Sequence, residues 1–264
     1  MAKVSKTVLK LIDRAFEKAS YRKSGRRVYC REIGERVEII EVALDSELRE
    51  AHEPISMNDR YIAFDAGVVL ANVPLYALYG QDRRLKKGPC AVDFSNCPAW
   101  YRPVCEKRRW FRRPKHYVNL VEGSLDEASF SIQLDDVIVP DIQEFFEHFR
   151  SRQDALRFFN GDRGAFSKRS IGGGREGSPL RTWVRAFVGA IARHPEAKAF
   201  IDVADQKSRE VTASILSTAV HDPEKYDYRK REREYHERCF GLVRQFVDGD
   251  LSEAEYGNAL KHVL

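Results

Sequence analysis

The sequence predicts an α+β protein: an antiparallel β-meander covered by helices, followed by an all-α C-terminal segment. Three observations predict it. Apolar residues recur at helical spacing between residues 3 and 19, the period drops to two from Arg27, and helical patterns opened by prolines fill the chain beyond Ser178. A sheet with one apolar face needs helices to cover it, which makes the order helix, meander, helix an α+β arrangement.

The elements follow in order. Val4, Val8, Ile12, Phe16 and Ala19 share one face of an opening helix, with Lys6, Lys10, Asp13, Arg14 and Lys18 on the other. Tyr21 to Gly25 breaks that pattern. Val28 and Cys30, then Val37, Ile39 and Ile40, mark two strands joined around Ile33-Gly34-Glu35 as a hairpin. Tyr61 to Leu70 is rich in β-formers and makes a third strand, ended or diverted by Pro74. After an irregular stretch holding Pro98, Pro103 and Pro114, the runs His116 to Glu122 and Ser129 to Leu134 read as two more strands. Pro140 introduces a helical pair, with Ile142, Phe145, Phe146 and Phe149 on one face. Ser151 is an N-cap for the second helix, which carries Ala155, Leu156, Phe158 and Phe159.

Six of the sixteen glycines fall between Gly161 and Gly177. That concentration divides the chain into an α+β domain over 1–160, a glycine-rich linker over 161–177 and a helical segment over 178–264. Ser178-Pro179 pairs an N-cap with proline at the first helical position, and Trp183, Phe187 and Ile191 share a face. Pro195 and Pro223 open two further helices, the second carrying Tyr228, Tyr235, Cys239, Leu242, Val243 and Phe246 on one side. Ser252 with Glu255 makes a capping box for a last short helix.

The chain of 264 residues is 43% hydrophobic and 11% aromatic, enough for a sizeable core. No apolar run approaches the length of a membrane span, and charges at Asp13, Arg14, Glu17 and Lys18 interrupt any secretory signal. Five cysteines, an odd number in a chain large enough to fold without staples, read as reduced thiols in a cytoplasmic protein.

The net charge of +5 averages over blocks. Residues 107–115 hold six basic residues and no acid, around Trp110 and Phe111; residues 116–148 hold eight acids and no Lys or Arg. Cations flanking aromatics suit an acidic protein surface, with the rings as anchors. They equally suit single-stranded nucleic acid, whose bases stack while its phosphates pair. The plainest alternative is neutralisation of the basic block by its own acidic neighbour. Candidate partner-binding residues are therefore Arg108, Arg109, Trp110, Phe111, Arg112, Arg113 and Lys115.

Other constellations point to bland readings. Gly172 to Gly177 satisfies G-x-G-x-x-G, but the segment before it is loop-like where a dinucleotide site needs a strand. Cys90, Cys97 and Cys105 are too widely spaced for a structural zinc site. His236 with Cys239, and Glu144 with His148, share helix faces without a second ligand pair, and read as core residues. Asp135, Asp136 and Asp141 cluster as in metal-dependent nucleases, or serve as solvated loop acids and a helix-dipole partner. The mixed-charge segment Tyr226 to Arg238 reads as a solvated helix face laced with short-range ion pairs, with a helical pairing surface for another subunit as the alternative. No catalytic constellation emerges, and no cofactor or metal is expected.

The run Tyr21-Arg22-Lys23-Ser24-Gly25-Arg26-Arg27-Val28-Tyr29 after the first helix, then Val37-Glu38-Ile39-Ile40-Glu41-Val42, resembles the opening of a bacterial family known only as a domain of unknown function. There a helix leads through a short basic, glycine-containing turn into a β-meander, and Val139-Pro140-Asp141-Ile142 is similar to its closing element. Members often carry Gly-Phe where this chain has Ser20-Tyr21. The resemblance spans the first 160 residues. It implies a bacterial cytosolic α+β domain with a binding rather than a catalytic role, and supplies no catalytic residue. The expectation is a non-catalytic protein docking a macromolecule, a protein first and nucleic acid as the alternative.

Overall fold

The computed structural model describes residues 6–44, 61–92, 97–103, 105, 118–119, 126–163, 166, 171–172 and 178–264. The chain forms two compact units that interleave along the sequence: unit 1 is 1–68 with 100–147, and unit 2 is 69–99 with 148–264. The glycine-rich stretch lies mostly outside the described residues.

Unit 1 begins with α1 (Lys6–Lys18), which buries Val8, Ile12, Ala15 and Phe16, the face its spacing predicts. Its sheet is β1 (Arg22–Lys23), β2 (Val28–Ile33), β3 (Arg36–Leu44), β4 (Tyr61–Leu70) and β5 (Ala99–Tyr101), antiparallel and in that order, with β6 (Val118–Asn119) paired to β4. The β2–β3 hairpin is in the register Ile33↔Arg36, and Gly34 at φ +56 supplies the left-handed backbone its two-residue turn demands. From Ile62 to Leu70, β4 is buried without interruption. Both faces are covered, which is why its sequence is mostly apolar and not an alternation, with Asp65 the one charge within it. Phe16 packs against the rings of Tyr21, Tyr29 and Phe64 at 6.0, 4.8 and 5.9 Å between centroids.

One expected strand is a helix. Ser129 to Leu134 belongs to α3 (Glu127–Gln133), continued by a π-helical turn over Leu134–Ile138 and by α4 (Val139–Glu147). Asp126 caps α3 by accepting from the Ala128 N–H at 3.1 Å. Phe130, Leu134 and Ile138 are buried while Ile132 is 60% exposed. Residues four apart satisfy both a period of two and a helical period; the exposed Ile132 shows which operates. The helical pair expected from Pro140 instead starts earlier, because Pro140 is the second residue of α4. Proline lacks a donor N–H and crowds the carbonyl four residues back. The wider turn just before it, where Val139 N–H reaches Leu134 O, absorbs that disturbance.

Unit 2 contains α2 (Leu78–Lys87), α5 (Arg152–Phe159), the short β7 (Ile171–Gly172), α6 (Pro179–Ile191), α7 (Ala197–Thr218), α8 (Pro223–Asp248) and α9 (Glu253–Leu260). The caps read from the sequence are present: Ser151, Ser178 before Pro179, and the Ser252–Glu255 capping box. Its core centres on Trp183, whose ring meets Tyr76, Phe187, His236 and Phe240 within 4.6–5.6 Å. Burying an aromatic of this size contributes about 1.5–3 kcal/mol.

Two of the five cysteines depart from the all-thiol expectation: Cys30 and Cys90 are disulfide-bonded. Cys97, Cys105 and Cys239 are free and buried. Among the described residues, no helix is long and apolar enough to cross a membrane.

Candidate functional site

The predicted partner-binding residues Arg108, Arg109, Trp110, Phe111, Arg112, Arg113 and Lys115 lie outside the described residues. The acids that follow them are partly described, and three have partners within unit 1. Asp126 caps α3, the Asp135 carboxylate pairs with Lys18 at 3.0 Å, and Asp141 accepts a 2.5 Å hydrogen bond from the Tyr101 hydroxyl. Separate partners at Asp135 and Asp141 do not assemble the aspartates into a metal centre. Among the described residues, no group of three or more potential ligands stands together. His236 and Cys239 are buried as core residues. His148 is half-buried against the rings of Phe158 and Phe166, but Glu144 is exposed on its helix and is not the core residue expected.

The densest polar cluster of unit 1 is one that sequence reasoning missed. Glu38, fully buried on β3, accepts from Tyr21 Oη at 2.8 Å, from Arg31 Nη2 at 2.7 Å and from Arg36 Nε at 2.8 Å. Arg31 also lies 4.4 Å over the Tyr21 ring. Burial first, then the Glu38 carboxylate, push the Tyr21 phenol far above its usual range, so it stays a donor. Every oxygen of Glu38 is satisfied, which makes this a structural knot with no reactive group to spare. Asp65 of β4 is held likewise by a bidentate Arg102 at 2.7 and 2.9 Å.

Unit 2 handles buried polarity differently. The segment after β4 runs without regular structure through Asn72, Val73, Pro74, Leu75 and Tyr76, and its carbonyls need partners. Each finds a side chain: Asn72 O takes Tyr256 Oη at 3.3 Å, Val73 O takes Arg84 Nη1 at 3.1 Å, Pro74 O takes Trp183 Nε1 at 2.9 Å, Leu75 O takes Tyr235 Oη at 2.5 Å, and Tyr76 O takes His236 Nε2 at 2.8 Å. A carbonyl only accepts, so His236 carries its proton on Nε2, and its Nδ1 accepts from the Ser208 hydroxyl at 2.8 Å. Burial holds the His236 pKa below its usual value despite the Tyr76 carbonyl and Glu232. The Ser208–His236 pair has the atoms of a hydrolytic dyad, but both residues are buried, at 4% and 3% exposure. Its work is to hold α7 and α8 to the 72–76 segment.

Beside that segment lies a cleft of about 360 Å³, lined by Asn72, Pro74, Arg84, Leu85, Leu260 and Lys261 among others. Gly257 opens its wall: a Cβ there would stand 2.6 Å from Asn72 Oδ1. Asn72 itself holds a left-handed backbone at φ +58. Desolvation lowers the Arg84 pKa, and among the described residues no carboxylate pairs with its guanidinium. A neighbouring depression shares Asn72, Gly257 and Lys261 and is bounded by Glu253, whose carboxylate is committed to Arg152.

Comparison with known proteins adds no relative: no family, no curated protein and no solved structure matches the chain. What defines the class of this protein is therefore its own architecture, an α+β chain whose C-terminal part is mostly helical.

Proposed function

We propose that the chain is a non-catalytic bacterial protein that binds an acidic protein surface through residues 107–115, with Trp110 and Phe111 as anchors and Arg108, Arg109, Arg112, Arg113 and Lys115 as the complementary charge. The observation that carries the reading is the engagement of the following acids. Asp126, Asp135 and Asp141 serve a helix cap, Lys18 and Tyr101, so the acidic stretch has work of its own besides neutralising the basic block. The saturated cluster at Glu38 and the enclosed Ser208–His236 pair support binding over catalysis.

The test is capture from host extract with the chain and with a variant reversed to Glu at Arg108, Arg109, Arg112 and Arg113. A protein retained after nuclease treatment and lost with the variant supports the reading; a partner that survives charge reversal sinks it. Material lost on nuclease treatment, with affinity falling steeply as salt rises, selects the nucleic-acid alternative instead. The cytoplasmic setting rests on the free thiols of Cys97, Cys105 and Cys239, while the disulfide-bonded Cys30 and Cys90 favour an oxidising compartment. Thiol counting on protein isolated under alkylation decides between them.

A further inference from the structure

We propose that the cleft beside residues 72–74 binds a small organic carboxylate, with the Arg84 guanidinium receiving the carboxylate and the apolar walls receiving the rest of the molecule. A guanidinium partly withdrawn from water, as the half-buried Arg84 is, is costly unless something compensates its charge. Among the described residues, the acceptors of Arg84 are neutral: Val73 O at 3.1 Å and, more weakly, Leu70 O at 3.5 Å. Those carbonyls fix the plane of the fork and use two of its five N–H donors. They supply no counter-ion for the positive charge, and none stands among the described residues.

The surroundings fit an anion with an apolar body. Among the described residues the cleft lining holds no Asp or Glu, and Lys261 adds a second cation at an exposed position. Pro74, Leu85, Pro89 and Leu260 supply apolar wall, and Gln81 and Asn72 add amide dipoles. A concave site of about 360 Å³ with few polar groups and mostly apolar walls has the character of a small-molecule pocket. One half-buried guanidinium matches one carboxylate. A phosphate dianion asks for more donors than a single fork and a surface lysine present. The missing Cβ at Gly257 keeps the Asn72 amide against the wall without a clash, and Asn72 holds a backbone conformation of a kind concentrated at ligand clamps.

The experiment titrates the full chain with 3-phenylpropionate, its uncharged amide and inorganic phosphate, read by calorimetry and by amide chemical shifts at Gly257 and Leu260. The expected result is saturable binding of the carboxylate, with the amide and phosphate each weaker by about tenfold or more. Arg84→Met should abolish binding. Because Arg84 also holds two carbonyls, a second variant guards against misfolding: Lys261→Gln, at an exposed residue, should weaken binding about two- to fivefold with an unchanged unfolding midpoint. Equal affinity for acid and amide, phosphate matching the carboxylate, or no saturation by about 10 mM would each overturn the proposal.

Discussion

The two units share one way of burying polar groups and differ in a second. In unit 1 charge meets charge: Glu38 lies between Arg31 and Arg36, and Asp65 is clasped by Arg102. Unit 2 has charge pairs too, Asp205 with Arg209 and Arg244 among them, but it adds five side chains that turn to neutral backbone and satisfy the carbonyls of Asn72 to Tyr76. A sheet already satisfies its own backbone, so its buried charges must find other charges. An irregular segment inside a helical unit presents unsatisfied carbonyls, and the side chains around it become donors. Among the described residues, unit 2 leaves the guanidinium groups of Arg84 and Arg181 on neutral carbonyls without a paired acid.

The comparison can be broken at its strongest point by Glu38→Ala. Removing the carboxylate strands two guanidinium groups and a phenol, and should cost about 3–5 kcal/mol in denaturant unfolding. A loss below about 1 kcal/mol would show that the knot is solvated and that unit 1 does not depend on it. Tyr235→Phe probes the other unit with less force. It leaves Leu75 O without its donor while preserving the ring, for an expected loss of about 1–3 kcal/mol. A neutral outcome would mean water replaces the hydroxyl.

The smallest effect is a pH dependence that belongs to unit 2 through His236. Burial depresses its folded-state pKa, so the unfolded chain takes up the proton first. Stability should be full above the unfolded value of about 6.5 and fall as pH drops from there through the folded pKa. Thermal unfolding between pH 8 and pH 5 measures the slope. His236→Gln should flatten it, and an unchanged slope in that variant assigns the titration elsewhere.

Local signals carried much of the fold in the sequence. Ser178-Pro179, Ser151, the capping box and the Gly34 turn each act within four residues, and each stands where its chemistry predicts. Ambiguity began where two periods coincide, as at Phe130 and Leu134. Helix α2 gave no signal, since Leu78–Lys87 has a low apolar content and its N-cap, Ala77, makes no side-chain bond. The polar clusters were illegible for a different reason. Arg102 meets Asp65 across 37 positions, and Tyr235 meets Leu75 across 160. A donor aimed at a backbone carbonyl has no partner residue type to reveal it, so neither the 72–76 network nor the Arg84 cleft could be read from spacing. The basic block at 107–115 shows the reverse: its charge pattern was plain in sequence, and it lies outside the described residues.

The placement of the 72–76 segment also sets a schedule for the growing chain. Arg84 emerges from the ribosome soon after the carbonyls it serves, but Trp183, Tyr235, His236 and Tyr256 follow much later. At about 5–20 residues per second, the segment waits on the order of ten seconds for its last donors. Unit 1 is complete once residue 147 is made, so it can close while this stretch is still unsatisfied. Nascent-chain arrest just after residue 147 should therefore leave Leu75 and its neighbours open to proteases and chaperones, and release of the finished chain should hide them.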